Sequence, residues 1–448
     1  MDLDRRSLWV ASAATVAAMA DKQTRPATTG GVDGLTVTAG FVGARSRSVQ
    51  DRALDSISVT DAEGVSTRDA HDSTDGFNLA TGASDGYSPS LARGISVPSG
   101  TFRVGGGNAS VFVRKGQTLA GAGLGATTLD MTGARNNSQP TLHLGRSSQY
   151  DDDPGGQAVE LTSMTMLGGP DAHPCVSVGA AGWSIHDVFF SAPGIGIAAG
   201  GADGLIQRCI FDLGLNHIVA TARNTLLSGN LHYLGSYQIT IGENCADVTV
   251  SGCLFEYFRF AAILLAEGAK NIRNVAISDC NFKQNEQHGG THGAIYIRSS
   301  GSDLTISGSR FRNINGFGVA YGQGVGNKMF VNNCVFDGQK TVELYNQSKS
   351  MGGIDASNTE AKIQGCIFRE LPGQPIRLGG DIAATWVIQG CHFAGNSGGA
   401  SEIEITNTNP RSRVVVMGCT GSGRPLVNEQ AIVPVTIIGC DGGMPLPP

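Results

Sequence analysis

"VTVSGCLFEYF", Val248 to Phe258, carries the phrase that decides the architecture. Its core reads apolar–x–apolar–x–Gly–Cys–x–Phe. Close copies follow through the second half of the chain, among them "AISDCNF", "TISGSRF", "FVNNCVF", "KIQGCIF", "VIQGCHF" and "TIIGCDG". Aligned on the residue after the turn, the copies mark Met164, Val188, Cys209, Asn230, Cys253, Cys280, Ser309, Cys334, Cys366, Cys391, Cys419 and Cys440, in steps of 21 to 32 residues. Each copy alternates apolar and polar residues, so each is a short strand with one buried face. Ser-Gly or Asn-Asn before the marker supplies a sharp turn. No stretch sustains the i, i+3, i+4, i+7 spacing of a helix. A short-strand repeat at this period describes a solenoid. The expected fold is all-β, a right-handed parallel β-helix of about 22 to 25 residues and three strands per coil, with coils stacked at ~4.8 Å.

Composition agrees and narrows the partners. Gly makes up 64 of 448 residues, about twice ordinary usage, and charged residues only 16%. A net charge of −6 speaks against nucleic acid, which calls for a basic stripe. No run reaches the ~18 apolar residues of a membrane span. Asp4-Arg5-Arg6-Ser7 and the apolar run ending at Ala18-Met19-Ala20 read as a twin-arginine export signal over residues 1–20. Residues 21–55 then form a linker or an anchoring segment, and 56–448 the β-helix domain. Export leads to the periplasm or the exterior; a retained N-terminus leads to a virion.

Most of the ten cysteines fall on the marker position, leaving Cys175 and Cys245 outside it. At an inward corner a thiol behaves as a small hydrophobe. Asn230 sets an amide in the same stack, where it can bond one coil away. The spacing has no CxxC pattern, so no metal site is expected from it. Parallel Cβ vectors are poor disulfide geometry, so mostly free thiols are expected. "YDDDPGG", Tyr150 to Gly156, is either a solvated turn or a set of oxygens for Ca²⁺, the one cofactor considered.

Ahead of the coils, "SRSVQDRALDSISVTDAEG" leads to "DSTDGFNLA", with a short helix expected near Asp75–Ala83. "VPSGTFRV" and "LAGAGLGATTL" then read as the first strands and turns. These pieces resemble the pectate-lyase-like right-handed parallel β-helix family, in the branch that includes phage tailspikes. The resemblance implies a capped β-helix, a polysaccharide partner and a homotrimer. It carries over no catalytic set. "THGAIYIRS" is a loose echo of a Gly-His-Gly motif with no Asp-Asp ahead of it, and Asp-Pro-His is absent.

Chemistry is therefore sought on the outward side of the strand that follows each marker. One expected outward row is Gly196, Val219, Thr240, Leu264, Tyr296, Ala320, Glu343, Arg377 and Glu404. Arg298 and Tyr345 fall in the row beside it. Tyr296, Arg298, Glu343, Tyr345, Arg377 and Glu404 should make one patch across five coils. Tyrosines stack on sugar rings and arginines pair with carboxylates. Glu343 and Glu404, two coils or about 9.6 Å apart by backbone, have the spacing for an acid and a base in glycoside hydrolysis. A lyase would use Tyr296 or Arg298 to take a proton, with Arg377 neutralising a carboxylate. The same residues also suit a ladder of exposed cross-strand ion pairs. The preceding loop adds Glu286, His288 and His292 above the patch as substrate-binding candidates. The expected function is cleavage of an acidic or bacterial-surface polysaccharide, by lyase or hydrolase chemistry; the alternative is a polysaccharide-binding spike or adhesin.

Overall fold

The computed structural model describes residues 36–37, 47–48 and 56–441, apart from 68–70, 83–92, 107–108, 134–139, 146–157, 170–173, 193, 270–271, 285–291, 323, 339–350, 422 and 429–432. The acidic loop Asp151–Asp153 and the Arg5-Arg6 segment lie outside the described residues.

The expected helix is present at Thr74–Thr81 and stops at Gly82, whose φ of 70° is the left-handed stop that glycine tolerates. It covers the open end of the first coil. Phe77 is fully buried beneath it, and Asn78 bonds the next strand twice, its Nδ2 donating to Ser110 O (2.9 Å) and its Oδ1 accepting from Phe112 N (2.9 Å). From there the strands of the solenoid pair only in parallel, each with its copy one coil away.

Three sheets result. Sheet 1 holds the strand before each marker, such as Val248–Ser251 and Val275–Ser278. Sheet 2 holds the strand after it, such as Asn281–Lys283, Arg310–Arg312, Val335–Asp337 and Ile367–Arg369. Sheet 3 holds Gly293–Ile297, Phe317–Tyr321, Gly352–Asp355, Ile376–Leu378 and Ile403–Ile405. The corner between sheets 1 and 2 is one residue wide. Ser163, Asp187, Arg208, Gly229, Gly252, Asp279, Gly308, Asn333, Gly365, Gly390, Gly418 and Gly439 occupy it, all with φ between 52° and 62°. This conformation explains the Gly, Asn and Asp before most markers, since those residues enter it at least cost.

The markers line the interior as expected, and all ten cysteines are free thiols. Each corner thiol meets carbonyls of its own turn and of the preceding coil, as Cys253 does at Ser251 O (3.4 Å) and Leu227 O (3.7 Å). Burial pushes the Cys175 and Cys209 thiols up to about 12, so neither supplies a thiolate. Asn230 bonds the preceding coil's backbone rather than another side chain. Its Oδ1 accepts from Cys209 N (2.9 Å) and its Nδ2 donates to Ile206 O (3.0 Å), because its neighbours in the stack are cysteines.

Two residues past the marker runs a second ladder. Phe190, Phe211, His232, Phe255, Phe282, Phe311, Phe336, Phe368 and Phe393 stack with centroids 4.6 to 5.1 Å apart. Near-parallel rings at that spacing are slid past one another, the arrangement their quadrupoles favour. His232 interrupts the phenyl series. His217, on sheet 3, packs against it with Nδ1 atoms 3.2 Å apart, and both rings are buried. Burial holds His217 down to about 3, and burial together with His217 holds His232 well below the ordinary histidine value.

An unfolded chain takes up these protons near pH 6.5, before the folded one does. Stability should therefore fall as pH drops from about 6.5 toward 3, by at most about 1.4 kcal/mol per pH unit for each histidine. His232→Phe closes the phenyl series, and denaturation midpoints at pH 7 and pH 4.5 should differ less for this variant than for the parent.

Candidate functional site

Register fixes the outward row of sheet 3. Ala198 pairs with Val219, and the row continues through Thr240, Leu264, Tyr296 and Ala320. On the next coil Val319 pairs with Ile354, which puts Asp355 after Ala320; Arg377 and Glu404 follow. Two positions differ from the sequence reading. Gly196 faces the interior, where a Cβ would stand 2.6 Å from His217 O, and Ala198 takes its place. Between Ala320 and Arg377 the row is filled by Asp355. Glu343 and Tyr345 lie within residues 339–350, outside the described residues, as do Glu286 and His288.

The reason for the second correction is packing. "VELYNQ" alternates like a strand, whereas "GGID" opens with two glycines. Yet a Cβ on Gly352 would stand 2.6 Å from the Phe317 ring, and one on Gly353 would stand 2.2 Å from Pro375 O and 2.7 Å from the Phe368 ring. Only glycine lets this strand lie close to those neighbours. The longest marker step, Cys334 to Cys366, contains the surplus chain.

The lower half of the row is ionic. Arg377 lies between two carboxylates, with Nε 3.1 Å from Glu404 Oε2 and Nη1 3.8 Å from Asp355 Oδ2. Its guanidinium also covers the Phe317 ring, 4.9 Å from the centroid. The Asp355 side chain is only 13% exposed. Burial raises its pKa above the ordinary aspartate value, against the opposing pull of Ser357, which bonds Oδ1 from Oγ (2.6 Å) and N (3.1 Å), and of Arg377. Asp355 and Glu404 are two coils apart, roughly 9.6 Å between backbones.

The upper half is aromatic. His292 stacks on Tyr296 at 4.4 Å and 4°, Phe260 lies 5.9 Å from His292, and Tyr237 lies 5.3 Å from Phe260. Arg298 ion-pairs with Glu267 and stands 5.9 Å from the Tyr296 centroid. The face thus runs from half-buried rings to a carboxyl–guanidinium–carboxyl series. Tyr237, Phe260, Phe317 and Asp355 were not singled out from sequence. The marker-based alignment held only where a strand announced itself by alternation.

A second cluster, on sheet 1, was also unforeseen. His186 reaches Glu160 Oε1 through Nε2 (2.5 Å) and Asp187 Oδ2 through Nδ1 (2.8 Å). Arg208 grips both Asp187 oxygens, at 2.8 and 2.7 Å, and Thr118 donates to Glu160 Oε2 (2.9 Å). Arg208, backed by His186, lowers Asp187 to about 2. Burial works to lower His186, but the bonds from Glu160 and Asp187 outweigh it and raise its pKa. Two cations then match two anions, so the cluster neutralises itself. Among the described residues no group of three or more His, Cys, Asp or Glu is arranged to hold a metal ion.

Residues 175–350 match the family model described as the right-handed β-helix region. The fold is thus that of a right-handed parallel β-helix. In fold it is similar to the tailspike protein of E. coli bacteriophage HK620, with a TM-score of 0.57 at 10% identity, over 91% of this chain and 82% of the tailspike. It is also similar to tailspike protein 3 of bacteriophage CBA120, with a TM-score of 0.50 at 12% identity, over 100% of this chain and 70% of that one. No curated protein matches it in sequence. No helix among the described residues is long and apolar enough to cross a membrane.

The sheet 1 cluster gives a direct test of its electrostatics. In an NMR titration His186 should gain its proton above pH 6.5. Glu160→Gln or Asp187→Asn should each bring the midpoint down, since each removes a carboxylate that favours the charged ring.

Proposed function

We propose that the outward face of sheet 3 binds a polysaccharide and hydrolyses it at Asp355 and Glu404. The observation that carries this reading is the buried Asp355, whose pKa burial raises, two coils from the more open carboxylate of Glu404, on the face that also carries the aromatic run. Tyr237, Phe260, His292 and Tyr296 offer rings for sugars to lie against. Asp355 gives its proton to the glycosidic oxygen as the C1–O bond breaks. A water, deprotonated by Glu404, adds its oxygen to C1. Arg377 holds Glu404 in place through Nε (3.1 Å), and its remaining N–H groups can pair with an acidic group on the sugar. The two carboxyl-bearing strands lie roughly 9.6 Å apart by backbone, close to the ~6.5–9.5 Å between carboxyl groups that leaves an inverting enzyme room for a water.

Of the residues first considered for catalysis, Arg377 and Glu404 stay in this scheme. Tyr296 becomes a binding surface. Arg298, tied to Glu267, holds the edge of the aromatic run rather than taking a proton. The HK620 tailspike structure of similar fold is a complex with hexasaccharide, which supports a sugar ligand here and equally supports a second reading. In that reading Arg377 is already satisfied by its two carboxylates, and the face binds sugar as part of a spike without cutting it. The hydrolase reading suits an exported protein, with Arg5-Arg6 as its signal; the spike reading suits a virion part, with residues 1–45 as anchor and a homotrimer as its assembly.

Activity on a panel of acidic and bacterial-surface polysaccharides separates the readings. Hydrolysis releases reducing ends without the ultraviolet absorbance of unsaturated uronates. Asp355→Asn should then lower the rate by about 10² to 10⁴-fold. In the parent, the rate should fall as pH rises through the raised Asp355 pKa, because the acid has lost its proton. Unsaturated products would replace this scheme with a lyase. Binding without cleavage across the panel would favour the spike.

A further inference from the structure

Sheet 2 carries a second charged surface, whose residues take no part in the sheet 3 row. Its outward row runs Glu256, Lys283, Arg312, Asp337, Arg369, one residue per coil. Arg310, two residues before Arg312 on the same strand, projects beside it. Three guanidinium groups converge on one carboxylate. Asp337 Oδ2 lies 2.6 Å from Arg369 Nη2, 3.1 Å from Arg310 Nη2 and 3.9 Å from Arg312 Nε. Asp337 is 3% exposed, while the three arginines keep 35 to 44% of their side-chain surface in solvent. The desolvated carboxylate stays ionised because Arg369 and Arg310 outweigh its burial and lower its pKa.

The charges do not balance. Four cations, Lys283, Arg310, Arg312 and Arg369, face two anions, Asp337 and Glu256, and Glu256 stands 3.9 Å from Lys283. Glu370, beyond Arg369, leaves the cations still in excess. This occurs on a chain whose net charge is −6. The Nε–H groups of Arg310 and Arg312 are shut off from water and bond no acceptor. Each guanidinium has five N–H donors, and one carboxylate cannot fill them all. The exposed parts of the three arginine side chains present the N–H donors that an incoming anion can reach. The self-neutralised His186 cluster has no such deficit.

We propose that this face is an anion-binding subsite for an acidic sugar chain, with Asp337 as the positioning residue that gathers the guanidinium groups. The groups recognised are carboxylates, or sulfates or phosphates of the same shape, which guanidinium forks grip in pairs. A polymer is favoured over a lone ion by the repeat. Lys283 and Arg312 stand on adjacent coils, ~4.8 Å apart, a step comparable with one pyranose ring. Arg369 stands two coils beyond Arg312. The proposal holds whether or not sheet 3 cleaves its ligand.

The test uses the full chain and polygalacturonate as probe, with dextran as the uncharged control. Binding is measured by calorimetry over a series of salt concentrations. Wild type should bind polygalacturonate and not dextran through this face. An Arg312→Gln/Arg369→Gln variant should bind at least several-fold more weakly, with a shallower salt dependence, since fewer counter-ions are released. Arg369→Lys should keep more of the binding than the double variant. Arg377→Gln on sheet 3 serves as the companion. If it abolishes binding while Arg312→Gln/Arg369→Gln leaves it intact, all recognition lies on sheet 3 and the proposal is overturned, with the sheet 3 reading untouched.

A readout independent of the variants' folding is the Nε–H resonances of Arg310 and Arg312 in the wild-type protein. Polygalacturonate should shift them, and no shift at saturation overturns the proposal. Inorganic phosphate is the free-anion arm. Phosphate shifting these resonances as tightly as the polymer, per anion, would make the ligand a free ion and overturn recognition of a chain.

Discussion

Everything on the surface of this protein depends on a backbone conformation at one interior corner. In each coil a single residue with φ near +55° turns the chain from sheet 1 to sheet 2. Because that turn has no spare residue, the residue after it points inward, and from Phe190 to Phe393 the residue two further on joins the aromatic ladder. The coils are then locked in phase. Parallel pairing carries the phase outward, so equivalent residues stack in rows about 4.8 Å apart. A charge or a ring repeated along the sequence becomes, without further design, a linear surface.

The same constraint determined what could be read from sequence. Marker and corner were legible because both have strong chemical preferences: a small buried side chain, and a residue that tolerates positive φ. The capping helix was legible from its acidic entry, and its stop at Gly82 was not. The phase of the Gly352–Asp355 strand was not. Its glycines are there to clear Phe317, Phe368 and Pro375 O, which are distant in sequence or on other strands, and no local pattern reports such an approach. Reading the alternating segment before it as the strand named Glu343 for a register position that Asp355 fills. The row was right in direction and chemistry, an acid beside Arg377.

Other parts of the surface were invisible for a different reason. The Glu160–His186–Asp187–Arg208 network joins residues 21 to 26 apart, and Asp187 takes part because the left-handed corner turns its side chain beside His186. The convergence on Asp337 likewise spans three coils. Such groupings follow from register, and register follows from the exact length of every coil, which here varies from 21 to 32 residues.

Once register is known, the three faces can be compared by the charge each leaves unmatched. On sheet 1, two acids meet a guanidinium and an imidazole that they hold protonated, and nothing remains to attract a ligand. On sheet 3, one guanidinium lies between two carboxylates of unlike burial, and that inequality is what acid–base chemistry requires. On sheet 2, the cations exceed the anions, and an exposed excess of guanidinium over carboxylate favours an outside anion over any rearrangement of a rigid strand stack. A fold made of equivalent rows thus carries three chemically different surfaces, separated only by which member of each coil bears the charge.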